Sequence, residues 1–432
     1  MKRTWVLILV FASGIAVPSS RAQQPGLIVR DTLGLTHLSI LCRLLGCQVV
    51  QNLGDPLSEL FLITPTLSAS LDELLTILPQ QLGIVSVEVD QIVNLIASPP
   101  LSFIPNGLAD SFPEDYYGTL VSEGYLDQPA NSIVRTTQAQ NDFHVSGAGV
   151  VATVDTGVDP LHPALAPILL PGYDFVHNTN GADEKGDLDH STEFVLDGGG
   201  GSPTYVSPWT AAVVNQAGAA ALNNSQYAAF GHGTMVAGIV HLVAPTAKIL
   251  PLKAFSADGT GYVSAILRAI YFATAQGSTV VNMSFSITST SSAMSDAINY
   301  ANSKGVICVA AAGNEGEQIE VYPASFGQVM GVASTSNSDV LSSFSNYGSQ
   351  VEWVAAPGEN IISTYPFDVY ASSSGTSFST PFVSGTAALL ANVDGGINQS
   401  GAADAIGHAK YISPQLNRGV LDIYQAVGSI AH

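Results

Sequence analysis

Residues 151–163 read VATVDTGVDPLHP. The run from Val150 to Val154 is short and apolar without alternation, Asp155 closes it, and Gly157 permits a sharp turn. A strand with no polar face is a strand buried on both sides. Three more runs of this kind follow, Ile249–Phe255, Thr279–Met283 and Val306–Ala311. Between them the spacing turns helical: within Tyr262–Ala275, Val263, Ile266, Leu267 and Ile270 fall at i, i+3, i+4 and i+7, and Met294, Ala297, Ile298 and Ala301 repeat the pattern. Buried strands alternating with amphipathic helices predict an α/β fold over residues 131–432, a parallel sheet with helices on both faces. Ligands and catalysis gather at the carboxyl ends of such strands, where Asp155 stands.

The chain upstream of this region divides differently. Lys2 and Arg3 precede an apolar run from Trp5 to Val17, and Ser20 and Ala22 form a small-residue cleavage site, so residues 1–22 read as a secretory signal peptide. The run is too short for a comfortable membrane span, which takes about 20 residues. Residues 23–95 predict a strand at Leu27–Arg30, a helix at Leu35–Leu45, strands at Cys47–Val50 and Leu60–Ile63, a helix to about Leu78, and a strand at Ile84–Val93. Ser70 is placed to cap the second helix, with Asp72 and Glu73 in its first turn. The order β-α-β-β-α-β is a ferredoxin-like α+β unit. Residues 96–130, rich in proline and glycine and without a period, read as a linker holding a processing site.

Composition bounds the function. Among 432 residues, 34 are acidic and 13 basic, for a net charge of −21, which excludes a basic nucleic-acid groove and a polybasic membrane patch. Both the 23–95 unit and the 131–432 unit are acidic, so any association between them must rest on strand pairing and apolar contacts rather than net charge. With 3 cysteines the chain has no disulfide scaffold; Cys42 and Cys47 sit across a helix-to-strand turn and are able to pair, and Cys308 lies in a buried strand.

Two further islands join the first. Residues 230–240, FGHGTMVAGIV, set His232 between glycines at the head of an apolar helix. Residues 372–390, SSSGTSFSTPFVSGTAALL, put Ser377 at the start of another, with Pro381 expected within its first turn. Taken singly, the aspartate reads as a turn former and the serine as a cap. Taken together they supply an acid, a base and a nucleophile: the base accepts the serine proton, and the carboxylate orients the imidazole and stabilises its charged form.

In the order Asp155, His232, Ser377 and in all three motifs, the chain resembles the subtilases, the subtilisin-like serine proteases, over roughly residues 125–428. The resemblance implies a subtilisin-like parallel sheet and a secreted endopeptidase that hydrolyses peptide bonds through an acyl-enzyme. Asp155 would orient, His232 act as general base and Ser377 attack. Asn314, in VICVAAAGNEG (residues 306–316), would give its side-chain amide to the oxyanion, joined by the Ser377 N–H. Substrate would add as a strand between Gly259-Thr260-Gly261 and Ser284-Phe285-Ser286, with Ala312, Gly313 and Val321 around the primary pocket. Phe285 and Ser286 depart from the family's Leu-Gly, so bulk is expected in the cleft. Val321 replaces a common glycine and predicts a shallow pocket for small or medium apolar residues. Phe378 stands where many members carry an oxidisable methionine.

The family's tightest calcium site would begin at Ala164, which has no ligand atom, and the loop after the histidine helix is missing. The 77 positions separating Asp155 from His232 include ADEKGDLDH. Its carboxylates, Asp183, Glu184, Asp187 and Asp189, are weak candidate ligands for a structural calcium, with a solvated acidic loop as the favoured reading. No cofactor is needed for the chemistry. The resemblance also makes residues 23–95 a propeptide, an intramolecular inhibitor and folding chaperone of a monomeric zymogen that cuts itself. Alternatives are a catalytically silent binding protein of the same fold, against which the complete triad argues, and a maturation protease with one target.

Overall fold

The computed structural model describes residues 26–95, 99–101, 103–197, 201–207 and 210–431. The signal-peptide reading of residues 1–22 lies outside them. An eight-stranded sheet organises the larger unit. Its order runs Thr179–Asn180, Tyr173–Asp174, Lys248–Lys253, Val150–Asp155, Val280–Met283, Ile307–Ala311, Met330–Thr335, Val354–Pro357. Every pairing is parallel except the Thr179–Asn180 edge. The chain enters at Val150–Asp155, adds Lys248–Lys253 on one side and then continues outward from the other. The strand order therefore reverses at Val150–Asp155, the place where such sheets open a crevice.

Apolar cores cover both faces, as the unalternating strands require. On one face lie the helices His232–Val243 and Thr376–Val393, with Met235, Val240, Phe382 and Leu389 fully buried. On the other lie Val263–Ala275 and Ser292–Ser303, with Ile266, Ile270, Met294 and Ala297. A second, antiparallel sheet joins Ile361–Tyr365 and Val369–Ser373 to a hairpin, Pro203–Ser207 with Thr210–Val213, so part of the insert between Asp155 and His232 braces the chain just before Ser377.

The amino-terminal unit has the predicted order of elements, except that the strand expected over Ile84–Val93 ends at Val89 and Ile92–Asn94 forms a separate strand outside its sheet. Strands Leu27–Asp31, Cys47–Asn52, Leu60–Pro65 and Ile84–Val89 form an antiparallel sheet with Leu27–Asp31 inside, covered by helices Gly34–Leu45 and Leu71–Ile77. Ser70 and Glu73 make a reciprocal capping box at the start of the second helix. Cys42 and Cys47 are joined as a disulfide, and Cys308 is free and buried.

Two expectations need correction. The stretch read as a linker is built into the larger unit from residue 103 onward. A hairpin, Pro113–Tyr116 with Thr119–Ser122, and short helices at Glu123–Leu126 and Pro129–Ile133 bury Leu108, Val121, Tyr125 and Val134 in the same core as the histidine helix. Elements of four or five residues are too short to leave a period. Pro381 lies at the sixth position of its helix rather than in the first turn. Proline brings no N–H, which frees the carbonyl of Ser377 from the helix ladder; Ser284 Oγ donates to that carbonyl at 2.9 Å.

Candidate active site

Parallel register places Asp155 beside Lys253 at the carboxyl ends of adjacent strands. The Asp155 side chain is fully buried, and its Oδ1 accepts from the Thr156 N–H at 2.8 Å and lies 2.7 Å from His232 Nδ1. His232 opens its helix. Gly233 lets the two motifs touch: a Cβ there would stand 2.0 Å from the Gly157 carbonyl oxygen. Burial pushes the imidazole down, but the Asp155 charge and hydrogen bond, with Glu184 adding to them, outweigh it and hold His232 above its ordinary value of 6.5.

Ser377 is the second residue of its helix, which follows Gly375 at φ 149, a conformation open to glycine alone. Its Oγ donates to the Ser284 carbonyl at 2.9 Å and makes no hydrogen bond to His232. Ser284 thus holds both the hydroxyl and the carbonyl of Ser377, and Asn282 Nδ2 donates to Ser284 Oγ at 2.9 Å. Phe378 packs its ring on that of His232, centroids 5.2 Å apart.

Asn314 follows the Ile307–Ala311 strand. Its Oδ1 accepts both the N–H and the Oγ–H of Thr376, each at 2.9 Å. With the oxygen so committed, the Nδ2 hydrogens are the free end of the amide. Thr376 Oγ also accepts from Gly313 N at 3.2 Å, so one threonine orients two neighbouring groups of the site. The sequence reading passed over Thr376, although it adjoins Ser377 in the same motif.

The strand predicted to receive substrate is occupied by the chain itself. Thr260–Tyr262 pairs antiparallel with Ile92–Asn94, Thr260 opposite Asn94 and Gly261 opposite Val93, and Leu95 N donates to the Gly259 carbonyl at 2.8 Å. Ile28, Leu60, Leu62 and Val93 share a core with Ile266 and Ile270. Charge enters locally even though both units are acidic. Glu88 accepts from Ser291 Oγ, Ser292 N and Ser292 Oγ at the head of helix Ser292–Ser303, at 2.5, 3.0 and 2.9 Å. Asp90 accepts from Ser264 N and Oγ, at 2.8 and 2.7 Å, at the head of helix Val263–Ala275. Helix N-termini favour anions, so carboxylates can dock onto an acidic partner.

Two site expectations change. The Phe285 ring does not fill the cleft; it is 1% exposed and packs on Phe255 at 5.2 Å. Val321 is fully buried in the same core. The acidic stretch is a solvated loop only in part, since Asp183 and Asp189 are exposed while Glu184 is buried, and its carboxylates do not fit calcium because they diverge to protein donors. Asp183 accepts from Lys185 N, Asp187 pairs with buried Lys253 at 2.7 Å and accepts from Ala257 N, and Asp189 takes Ser191, Thr192 and Tyr227. Glu184 turns inward toward Thr156, Gly231 and Thr234. Among the described residues no group of three or more His, Cys, Asp or Glu is arranged to hold a metal ion. Nor is any described helix long and apolar enough to cross a membrane.

A buried Asp–His pair at a reversal of strand order, a serine at the head of a facing helix and a fixed amide between them are the parts of a serine-type endopeptidase. A model of the subtilase family matches residues 147–419. The chain is 39% identical over 259 residues to thermitase of Thermoactinomyces vulgaris, which covers 60% of this chain and 80% of thermitase. It is 36% identical over 270 residues to a thermophilic serine proteinase of Bacillus sp. (strain AK1), covering 62% and 58%. A cold-adapted subtilisin-like serine proteinase of known structure superposes with a TM-score of 0.50 at 27% identity, covering 64% of this chain and 88% of that one. The chain belongs to the subtilase family, and it is a serine endopeptidase.

Proposed function

We propose that the chain is an exported, self-processed zymogen whose larger unit, residues 103–432, cleaves polypeptides through Asp155, His232 and Ser377. His232 takes the Ser377 proton as Oγ attacks the scissile carbonyl; Asp155 holds the Nδ1–H tautomer and stabilises the imidazolium. Asn314 Nδ2 and the Ser377 N–H, at a helix N-terminus, receive the oxyanion. The adduct collapses as the C–N bond breaks and His232 gives its proton to the leaving amine; water then attacks the acyl-enzyme with His232 as base again, and the proton returns to Ser377 Oγ as the second product leaves. For this, Ser377 Oγ must leave the Ser284 carbonyl and turn to His232, a single χ1 rotation that substrate entry would drive. No cofactor takes part, and the enzyme is proposed to act as a monomer outside the cell.

The observation that carries the zymogen reading is the pairing of Ile92–Asn94 with Thr260–Tyr262, because it fills the edge where a substrate strand would add. Residues 23–95 would therefore block their own protease after a cut that falls before residue 103, where the chain joins the core of the larger unit. Val321, in the position where many subtilases carry glycine at the pocket floor, supports a preference for small or medium apolar residues at the cleaved bond. Ser377→Ala, expressed without other proteases, should accumulate uncut at full precursor length. Maturation like wild type would refute self-processing.

A further inference from the structure

Glu184 sits beneath the Asp155–His232 pair, 1% exposed. Its carboxylate bridges the two motifs. Oε2 accepts from Thr156 Oγ at 3.0 Å and from Gly231 N at 2.9 Å; Oε1 accepts from Thr234 N at 3.3 Å and from the Thr234 hydroxyl. Thr156 directly follows Asp155, and Gly231 and Thr234 flank His232 by one and two positions. All four contacts are donors, the pattern an ionised carboxylate satisfies best.

The bridge answers a local deficit. Gly231 occupies the cap position of the histidine helix and has no side chain to take the free N–H groups. Glu184 supplies that cap from another loop, with a charge of the sign a helix start favours. The link continues through Thr156, whose Oγ accepts from Gly233 N at 2.9 Å and stands 3.4 Å from Asp155 Oδ1, its one proton going to the nearer Glu184. A buried carboxylate is costly unless paired; here four hydrogen bonds and the buried Lys253 offset only part of the cost, and burial still pushes the Glu184 carboxyl up to about 7. Two acidic groups face His232, Asp155 from the strand and Glu184 from the turn. Glu184 is itself faced by Lys253 and Tyr365.

We propose that Glu184 is the positioning residue of the catalytic pair: it ties the turn after Asp155 to the start of the His232 helix, fixing the imidazole against Asp155, and adds negative charge that favours the imidazolium. The proposal rests on the triad assignment above and concerns how the triad is held. Glu184→Gln keeps the shape but loses the charge and puts an amide donor against N–H groups. In enzyme whose activity has first been traced to Ser377, the variant should lose roughly tenfold to a hundredfold in kcat, as small misplacements of catalytic groups do. KM should stay near wild type, and the acid limb of kcat/KM should move to lower pH, because His232 loses a neighbouring anion. Wild-type kcat, or an unmoved acid limb, overturns the proposal. If the glutamine variant does not fold, Glu184→Asp decides. It keeps the charge but is a methylene too short to span both motifs, so kcat should fall with KM and acid limb unchanged, and a wild-type kcat overturns the proposal. Activity that survives Ser377→Ala would instead refute the triad assignment.

Discussion

In the proposed mechanism, replacing Asn314 by alanine removes the side-chain amide that would meet the developing oxyanion. The amide is already oriented in the resting enzyme, since Oδ1 is held by two Thr376 donors at 2.9 Å and Nδ2 has nowhere else to serve. A preorganised donor of this kind contributes roughly 3–4 kcal/mol to transition-state stabilisation, or two to three decades in kcat. The carbonyl of bound substrate carries little charge, so KM should stay within about twofold. Thr376→Val refines the test. It keeps the N–H bond to Oδ1 and removes the hydroxyl bond, a net loss of about 1 kcal/mol of orientation, so kcat should fall about tenfold or less. Both variants would be read with a chromogenic peptide under saturating and sub-saturating conditions, with melting curves as a control for folding. A fall of under fivefold in kcat for Asn314→Ala, or a loss confined to KM, would refute the oxyanion role.

Three further outcomes follow from the geometry. Dilute peroxide should leave activity largely intact, since Phe378 covers His232 and Met235, Met283, Met294 and Met330 are at most 1% exposed; rapid inactivation contradicts this. Burial pushes the Asp90 carboxyl up to about 6, against 3.8 when exposed. A bound value above the free one means that docking takes up a proton, so inhibition by added residues 23–95 should tighten as pH falls through 6, by roughly tenfold between pH 7 and 5, with the gain complete only below 3.8. Asp90→Asn should lose that slope; an unchanged slope assigns it elsewhere. Val321→Gly should shift a peptide-library profile toward larger residues and cost stability, because Val321 is fully buried; an unchanged profile removes Val321 from specificity.

Much of this was legible in the residues themselves, and the failures share a cause. Strands such as Val150–Asp155 and helices such as Val263–Ala275 carry their period locally, and the capping box at Ser70 is a four-residue signal. Direction is another matter. Whether Glu184 faces solvent or the catalytic pair depends on donors at Thr156, Gly231 and Thr234, up to 50 positions away. The departure from the family's Leu-Gly predicts Phe285 as cleft bulk, yet Phe255 offers it a core. Residues 103–130 hid their order because a four-residue hairpin strand and a four-residue helix have no room for a pattern. Thr376 lay in plain sight, but its bonds to Asn314 and Gly313 connect segments more than 60 positions apart.

The central claim is that Ser377 is the nucleophile. A fluorophosphonate probe tests it directly: the serine oxygen attacks phosphorus, fluoride leaves, and a stable phosphonyl ester remains. Mass mapping of the processed enzyme should find one label, on Ser377, formed in step with loss of activity and abolished in His232→Ala. A label on another residue, or full activity with Ser377 stoichiometrically modified, would contradict the account.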